Sequence, residues 1–188
     1  MPADEVRLEV CPQAELTEPL RAERLRLHRQ AWPESTDADH DPALRPVCLL
    51  LRSGERLVAS LDLLAKPVTH AGVRYAAAGL SAVVTDRAER GAGHGSRLVA
   101  EARRRIAAEH DLGIFSCDPE LVGFYAAAGW QPLPGTVLLG GTPADPLPSD
   151  RLGKVVLAGF FSDRARAHAA DFVNARIALY PGELDRLW

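Results

Sequence analysis

Residues 80–131 read LSAVVTDRAERGAGHGSRLVAEARRRIAAEHDLGIFSCDPELVGFYAAAGWQ, and the order of patterns in this stretch decides the fold. The opening LSAVVTD reads as a strand. The glycine-rich loop Arg90-Gly91-Ala92-Gly93-His94-Gly95-Ser96 then leads into an amphipathic helix with Leu98, Val99, Ala102 and Ile106 on one face. Residues 113–117 are short and apolar, the mark of a buried strand. Asp118 offers an N-cap and Pro119 a first helical residue. The helix that follows carries Leu121, Val122, Phe124, Tyr125 and Ala128, and Gly129 ends it.

Upstream, residues 6–10 alternate apolar and polar as a strand does. Thr17 can cap a helix running to about residue 32, with Leu20, Leu27 and Ala31 inward and its Arg and Glu side chains outward. Pro33 and Pro42 bracket an acidic loop. Residues 47–52 and 56–66 read as strands joined at Ser53-Gly54, and His70-Ala71-Gly72 turns into a longer strand over 73–86. This is an antiparallel meander. Downstream, residues 131–153 are rich in proline and glycine and read mostly as loop, with a short strand at 136–139. Residues 155–161 give a last strand, and Ser162 caps a helix through Ala165, Ala169 and Phe172. The pattern predicts an α/β (α+β) fold with one mixed sheet, as a single domain over residues 1–188 in which 134–188 form a C-terminal strand, helix and tail.

Composition narrows the function. Of 188 residues, 47% are hydrophobic and 25% charged, an ordinary globular balance. The formal net charge of −3 argues against a nucleic-acid partner, which needs a basic surface. Cys11, Cys48 and Cys117 are far apart and form no CxxC, so neither a metal site nor a disulfide framework is predicted. The N-terminal sequence lacks the basic start and apolar run of a signal peptide, and no apolar stretch reaches the roughly 20 residues of a membrane helix. A cytoplasmic protein without a membrane partner is the expectation, and a homodimer stays open.

The loop at residues 90–96 carries the chemistry. Successive backbone N–H groups at a helix N-terminus form an anion site, and Arg90 adds a charge-assisted donor, so a diphosphate is the natural guest. A nucleotide-hydrolysing loop would need Gly-Lys-Ser/Thr, which is absent. The dinucleotide fingerprint would need glycine where Ser96 and Leu98 stand. What remains is R-x-x-G-x-G between a strand and a helix.

This arrangement resembles the coenzyme-A-binding motif of the GCN5-related N-acetyltransferase (GNAT) superfamily. A second segment, Phe124-Tyr125-Ala126-Ala127-Ala128-Gly129-Trp130, is similar to that family's F-Y-x-x-x-G-F/W helix. The resemblance implies a mostly antiparallel mixed sheet with a V-shaped opening between two parallel central strands, and acetyl-CoA as acyl donor with no metal. It implies that the backbone of Ala82, Val83 and Val84 binds the pantetheine arm and that Arg90, Gly91, Ala92, Gly93, His94, Gly95 and Ser96 hold the pyrophosphate. Tyr125 would sit near the thioester sulfur and protonate the leaving thiolate. A phenol pKa of about 10, above a thiol pKa of about 8.5, suits it better as a hydrogen-bond donor than as a full acid. A core aromatic beside Phe124 is the plainer reading. Arg97 and Arg103 to Arg105 could pair with the 3'-phosphate, with a solvated helix face as the plainer reading. His94 would lend its backbone, with its ring exposed.

The reaction implied is direct transfer of acetyl from the thioester to a small-molecule primary amine. Many relatives place an acid on the strand before the CoA loop, but here Ala76-Ala77-Ala78-Gly79-Leu80-Ser81 stands there. Proton removal then falls to ordered water or to a carboxylate from elsewhere. Asp62 is one candidate, with a solvent-facing side chain as its default. Cys117 could accept the acyl group in a two-step route, but no His–Asp pair is placed in sequence to activate it.

The loop ESTDADHD over residues 34–41 fails as a calcium loop, with Pro42 where glycine and Cys48 where glutamate are needed. It reads as a solvated loop or as a lip that attracts a cationic amine. The layout also loosely resembles aminoglycoside 2'-N-acetyltransferases within the superfamily. That likeness implies Asp37, Asp39, Asp150, Asp185 and the terminal carboxylate of Trp188 as substrate contacts. Two other readings stand beside the transferase: a non-catalytic acyl-CoA sensor, and a structural homologue that binds no CoA.

Overall fold

The structure, a computed structural model, describes residues 5–180. Its strands are β1 (Val6–Pro12), β2 (Val47–Ser53), β3 (Arg56–His70), β4 (Val73–Thr85), β5 (Leu112–Cys117), β6 (Gln131–Pro132), β7 (Val137–Gly141), β8 (Pro146–Pro148), β9 (Val155–Phe160) and β10 (Arg176–Ala178). Its helices are α1 (Glu18–Ala31), α2 (His94–Glu109), α3 (Val122–Ala127) and α4 (Asp163–Ala167). The hydrogen-bonded strand order is β1-β2-β3-β4-β5-β9-β6, with a separate β10-β7-β8 sheet. Contacts divide the chain into one unit of Met1–Leu64 with Leu80–Ala102 and another of Ala65–Gly79 with Arg103–Trp188.

In the first unit, β1 pairs antiparallel with β2 along its whole length, from Val6↔Ser53 to Pro12↔Val47. The β2–β3 ladder sets Cys48 opposite Asp62 and shifts register at Leu51/Arg52. Leu16, Leu20, Leu27, Cys48, Leu50, Leu57 and Val84 form its apolar core. Along α1, Leu20, Arg24, Leu27 and His28 are buried at helical spacing. Two of these four inward positions are therefore ionisable. Arg24 is fully buried rather than solvated, and Ala31, expected inward, is exposed. Thr17 stands at the N-cap of α1 but makes no side-chain capping bond there.

In the second unit, β4 meets β5 in parallel at Ala77↔Leu112 and Ala78↔Gly113. β5 pairs antiparallel with β9 from Leu112↔Phe160 to Cys117↔Val155. Gly113 is required by packing: a Cβ there would lie 2.6 Å from the Trp130 ring. Phe115 stands edge-on to both Tyr125 and Trp130, with ring centroids 4.9 and 5.0 Å away. Ser162 caps α4, its hydroxyl accepting from Ala165 N–H at 3.1 Å. The predicted helix continues only as a 3-10 turn through Ala169–Phe172. Asp118 makes no side-chain capping bond, and its carboxylate pairs with Lys154 instead. No helix among the described residues is long and apolar enough to cross a membrane.

Candidate functional site

The first unit holds the phosphate-type loop. Gly91 and Gly93 adopt φ of +86° and +83°, a region costing an L-residue about 1–2 kcal/mol. A Cβ at either position would meet nothing within 4 Å, so the loop is open on that side. The Arg97 N–H donates to Gly93 O at 3.0 Å. Helix geometry then leaves the N–H groups of His94, Gly95 and Ser96 without intrahelical acceptors. Arg90, Ala92 and Ser96 are exposed, so backbone donors and one guanidinium lie on the surface where a diphosphate could bind. The residues present fit such a group.

Just upstream, Ala82 lies within β4 yet has φ +50°, a local break in a strand made by an alanine. Val83 is half-buried, and Val84 is buried in the core beside α1. The His94 ring is not free: only 11% of the side chain is exposed, and Nε2 lies 3.8 Å from Glu89 Oε2. The Arg97 guanidinium donates to Val6 O at 3.0 Å.

In the second unit, Arg103 donates to Gly129 O at 3.2 Å and lies over the Phe161 ring. Tyr125 on α3 is 6% exposed. Burial, with the nearby Cys117 and Asp118, raises its pKa, so the phenol keeps its proton and serves as a hydrogen-bond donor. Burial and then Asp118 push the Cys117 thiol up to about 11, which leaves it without thiolate character near neutrality. Asp150 accepts from the N–H of Arg151 at 2.9 Å. Asp185 and Trp188 lie outside the described residues.

The acidic loop of the first unit is tied down. Asp39 pairs with Arg21 and Arg24, and Asp37 accepts from the Asp39 N–H at 2.9 Å. Asp62 is fully buried, which overturns its solvent-facing default: β3 is buried on nearly every residue, so it has no solvent face there. Arg24 Nη2 donates to Asp62 Oδ2 at 2.7 Å, and His40 Nε2 lies 3.0 Å from the same oxygen. Burial alone would raise the Asp62 pKa; the His40 hydrogen bond and the Arg24 charge outweigh it and hold the carboxyl below 3.8. The side-chain atoms Arg24 Nε, Ser60 Oγ and Asp62 Oδ1 are buried without partners. Sequence reading found neither Arg24 nor His40.

His28 sits beside this cluster, and burial lowers its pKa to about 4. The unfolded chain binds a proton there from pH 6.5 downward and the folded chain does not, so stability falls as pH drops through that window. The expected loss between pH 6.5 and 4 is about 3 kcal/mol, and His28→Leu should flatten that slope in urea titrations.

The first unit also has an open groove of about 890 Å³ lined by Glu9, Glu15, Glu23 and Arg52 among others. None of the residues read as cofactor- or substrate-binding lines it.

A glycine loop opening a helix beside a broken strand, on a mostly antiparallel mixed sheet, defines an acyltransferase-like fold. The acetyltransferase (GNAT) domain family matches residues 15–133, and the chain belongs to that family. Its fold is shared with Escherichia coli ElaA at 15% identity and TM-score 0.59, covering 82% of this chain and 99% of that one. An acyl-CoA N-acyltransferase from Pseudomonas aeruginosa is similar at 18% identity and TM-score 0.57, again covering 82% and 99%. The AHL synthase LasI is similar at 15% identity and TM-score 0.61, covering 90% of this chain and 97% of that one. No curated protein matches the chain. Membership supports acyl transfer from an acyl-CoA donor.

Proposed function

We propose that this chain is a single acyl-CoA N-acyltransferase domain over residues 1–188 that moves acetyl from acetyl-CoA directly to a primary amine of a small molecule. The observation that carries this reading is the open loop at 90–96, with left-handed Gly91 and Gly93 leading into the start of α2. In this reading, the loop N–H groups and Arg90 hold the pyrophosphate. The backbone of Ala82, Val83 and Val84 receives the pantetheine arm. Tyr125, kept protonated by burial, donates a hydrogen bond to the departing sulfur.

The acceptor is read as an amine cation, for which Asp37 and Asp150, each exposed within its own unit, are candidate contacts. Asp39 enters less directly, because Arg21 and Arg24 already share its carboxylate. An aminoglycoside-like polyamine is one acceptor for this reading, with Asp185 and Trp188 as further candidate contacts.

Tyr125→Phe is expected to lower kcat at least about tenfold with CoA affinity unchanged. Equal turnover by the variant and the parent would remove Tyr125 from the mechanism. A second reading, an acyl-CoA sensor, is favoured by one observation: β4 carries no carboxylate along its whole length. CoA binding by calorimetry without amine-dependent thiol release would select the sensor.

A further inference from the structure

The acidless β4 leaves the amine without a proton acceptor, and the buried cluster of the first unit offers one. We propose that His40 is the general base for the acceptor amine and that Asp62 is its positioning residue. The proposal rests on the acetyltransferase reading of residues 82–84.

Asp62 is ionised, and a carboxylate can only accept, so His40 Nε2 carries the proton facing it. The Nδ1 lone pair is thereby the free base of the ring. Asp62 holds the ring, and two further sets of contacts hold the loop that carries it. Its own backbone exchanges two hydrogen bonds with buried Gln13, His40 N–H to Oε1 at 2.7 Å and Nε2–H to His40 O at 2.9 Å. Arg24 donates at once to Asp62, to Asp39 and to Ala38 O, which clamps the loop preceding His40 onto β3. Fifteen per cent of the His40 side chain remains exposed while Asp62 has no exposure at all. This is an oriented imidazole backed by a dry carboxylate.

The level of the cluster on the sheet matches the proposed acyl site. β3 and β4 are hydrogen-bonded neighbours joined by a tight turn, hence antiparallel. Asp86 N–H donates to Val58 O at 2.8 Å, which sets those residues opposite each other. Four residues along β3 from Val58 is Asp62, and four residues back from Asp86 is Ala82, the residue with φ +50°. Asp62 and the break in β4 therefore share a level, to within the one-residue slip a bulge introduces.

In the step, His40 Nδ1 takes one proton from the substrate ammonium and becomes imidazolium. The freed nitrogen lone pair forms the C–N bond to the acyl carbon, and the C–S bond breaks with its electron pair on sulfur. The second amine proton ends on that sulfur, and His40 returns its proton to water. No oxidant or metal takes part.

The charged and titratable groups facing this pair are Arg24 and His28 of α1, Asp39 of the loop, Cys48 of β2 and Cys11 of β1. All are present in the His40→Gln variant, which isolates the imidazole.

The test measures kcat/KM against pH for the parent, His40→Gln and Asp62→Asn with acetyl-CoA and an amine panel, alongside CoA affinity and imidazole nitrogen NMR shifts. The expected result is a loss in kcat/KM of about 100-fold or more in His40→Gln, with the acidic limb gone and CoA affinity kept. The parent protein without ligand should show the Nε2–H tautomer for His40, and Asp62→Asn should lose that preference. Parent-like turnover and pH profile in a folded His40→Gln would overturn the assignment while leaving the transferase reading intact. An Nδ1–H tautomer in the parent would overturn it even if Asp62→Asn fails to fold. Silence of the parent across the panel would overturn the transferase reading and the base with it.

Discussion

Gly93→Asp is expected to abolish CoA binding, with a loss in affinity on the order of 100-fold or more. Two effects add. A side chain at φ +83° costs about 1–2 kcal/mol of backbone strain. A carboxylate about 4 Å from a phosphate costs several kcal/mol more at the effective dielectric of a protein surface. Gly93→Ala separates the two, because a Cβ there meets no atom within 4 Å and brings only strain. Calorimetry with CoA reads both variants. Unchanged affinity in Gly93→Asp would remove the loop from the cofactor site.

Arg24→Met carries the largest expected effect on stability, a loss of about 3–5 kcal/mol, because it strands the Asp62 carboxylate in a fully buried position. For a chain of this size that corresponds to a fall in Tm of roughly 10 °C. The double variant Arg24→Met/Asp62→Leu should recover most of it, since an apolar pair of similar volume pays no desolvation. A folded-state pKa below 3.8 means the Asp62 contribution is complete above that value and is lost as pH falls through the folded value. The double variant should lack this acid-side slope. Equal Tm values for Arg24→Met and the parent would show that the buried pair is not what clamps the loop.

Arg24 also shows where sequence reading ends. An arginine in an amphipathic helix reads as solvated, and only its partners reverse that. Asp62 lies 38 residues away on β3 and Asp39 15 residues away in a loop, so no local pattern announces the pairing. Asp62 misled for a related reason: its strand is covered on both faces, and alternation carries no signal there. By contrast, the segment from Leu80 through Gln131 was readable because glycine and proline punctuate it. Gly91 and Gly93 do take left-handed φ, and Gly129 ends α3 with φ +89°. The β10-β7-β8 sheet escaped in part because its strands hold only three to five residues each, with glycine in β7 and proline in β8. Family membership and fold were thus legible from two motifs, whereas the buried polar cluster of Arg24, His40 and Asp62 required the structure.

The most direct test of the central claim is thiol release from acetyl-CoA in the presence of aminoglycosides, polyamines, amino acids and short peptides. The account predicts release that depends on an amine acceptor, with formation of its acetamide in equal amount. Release that ignores the acceptor, or none across the panel while CoA binds, would contradict it.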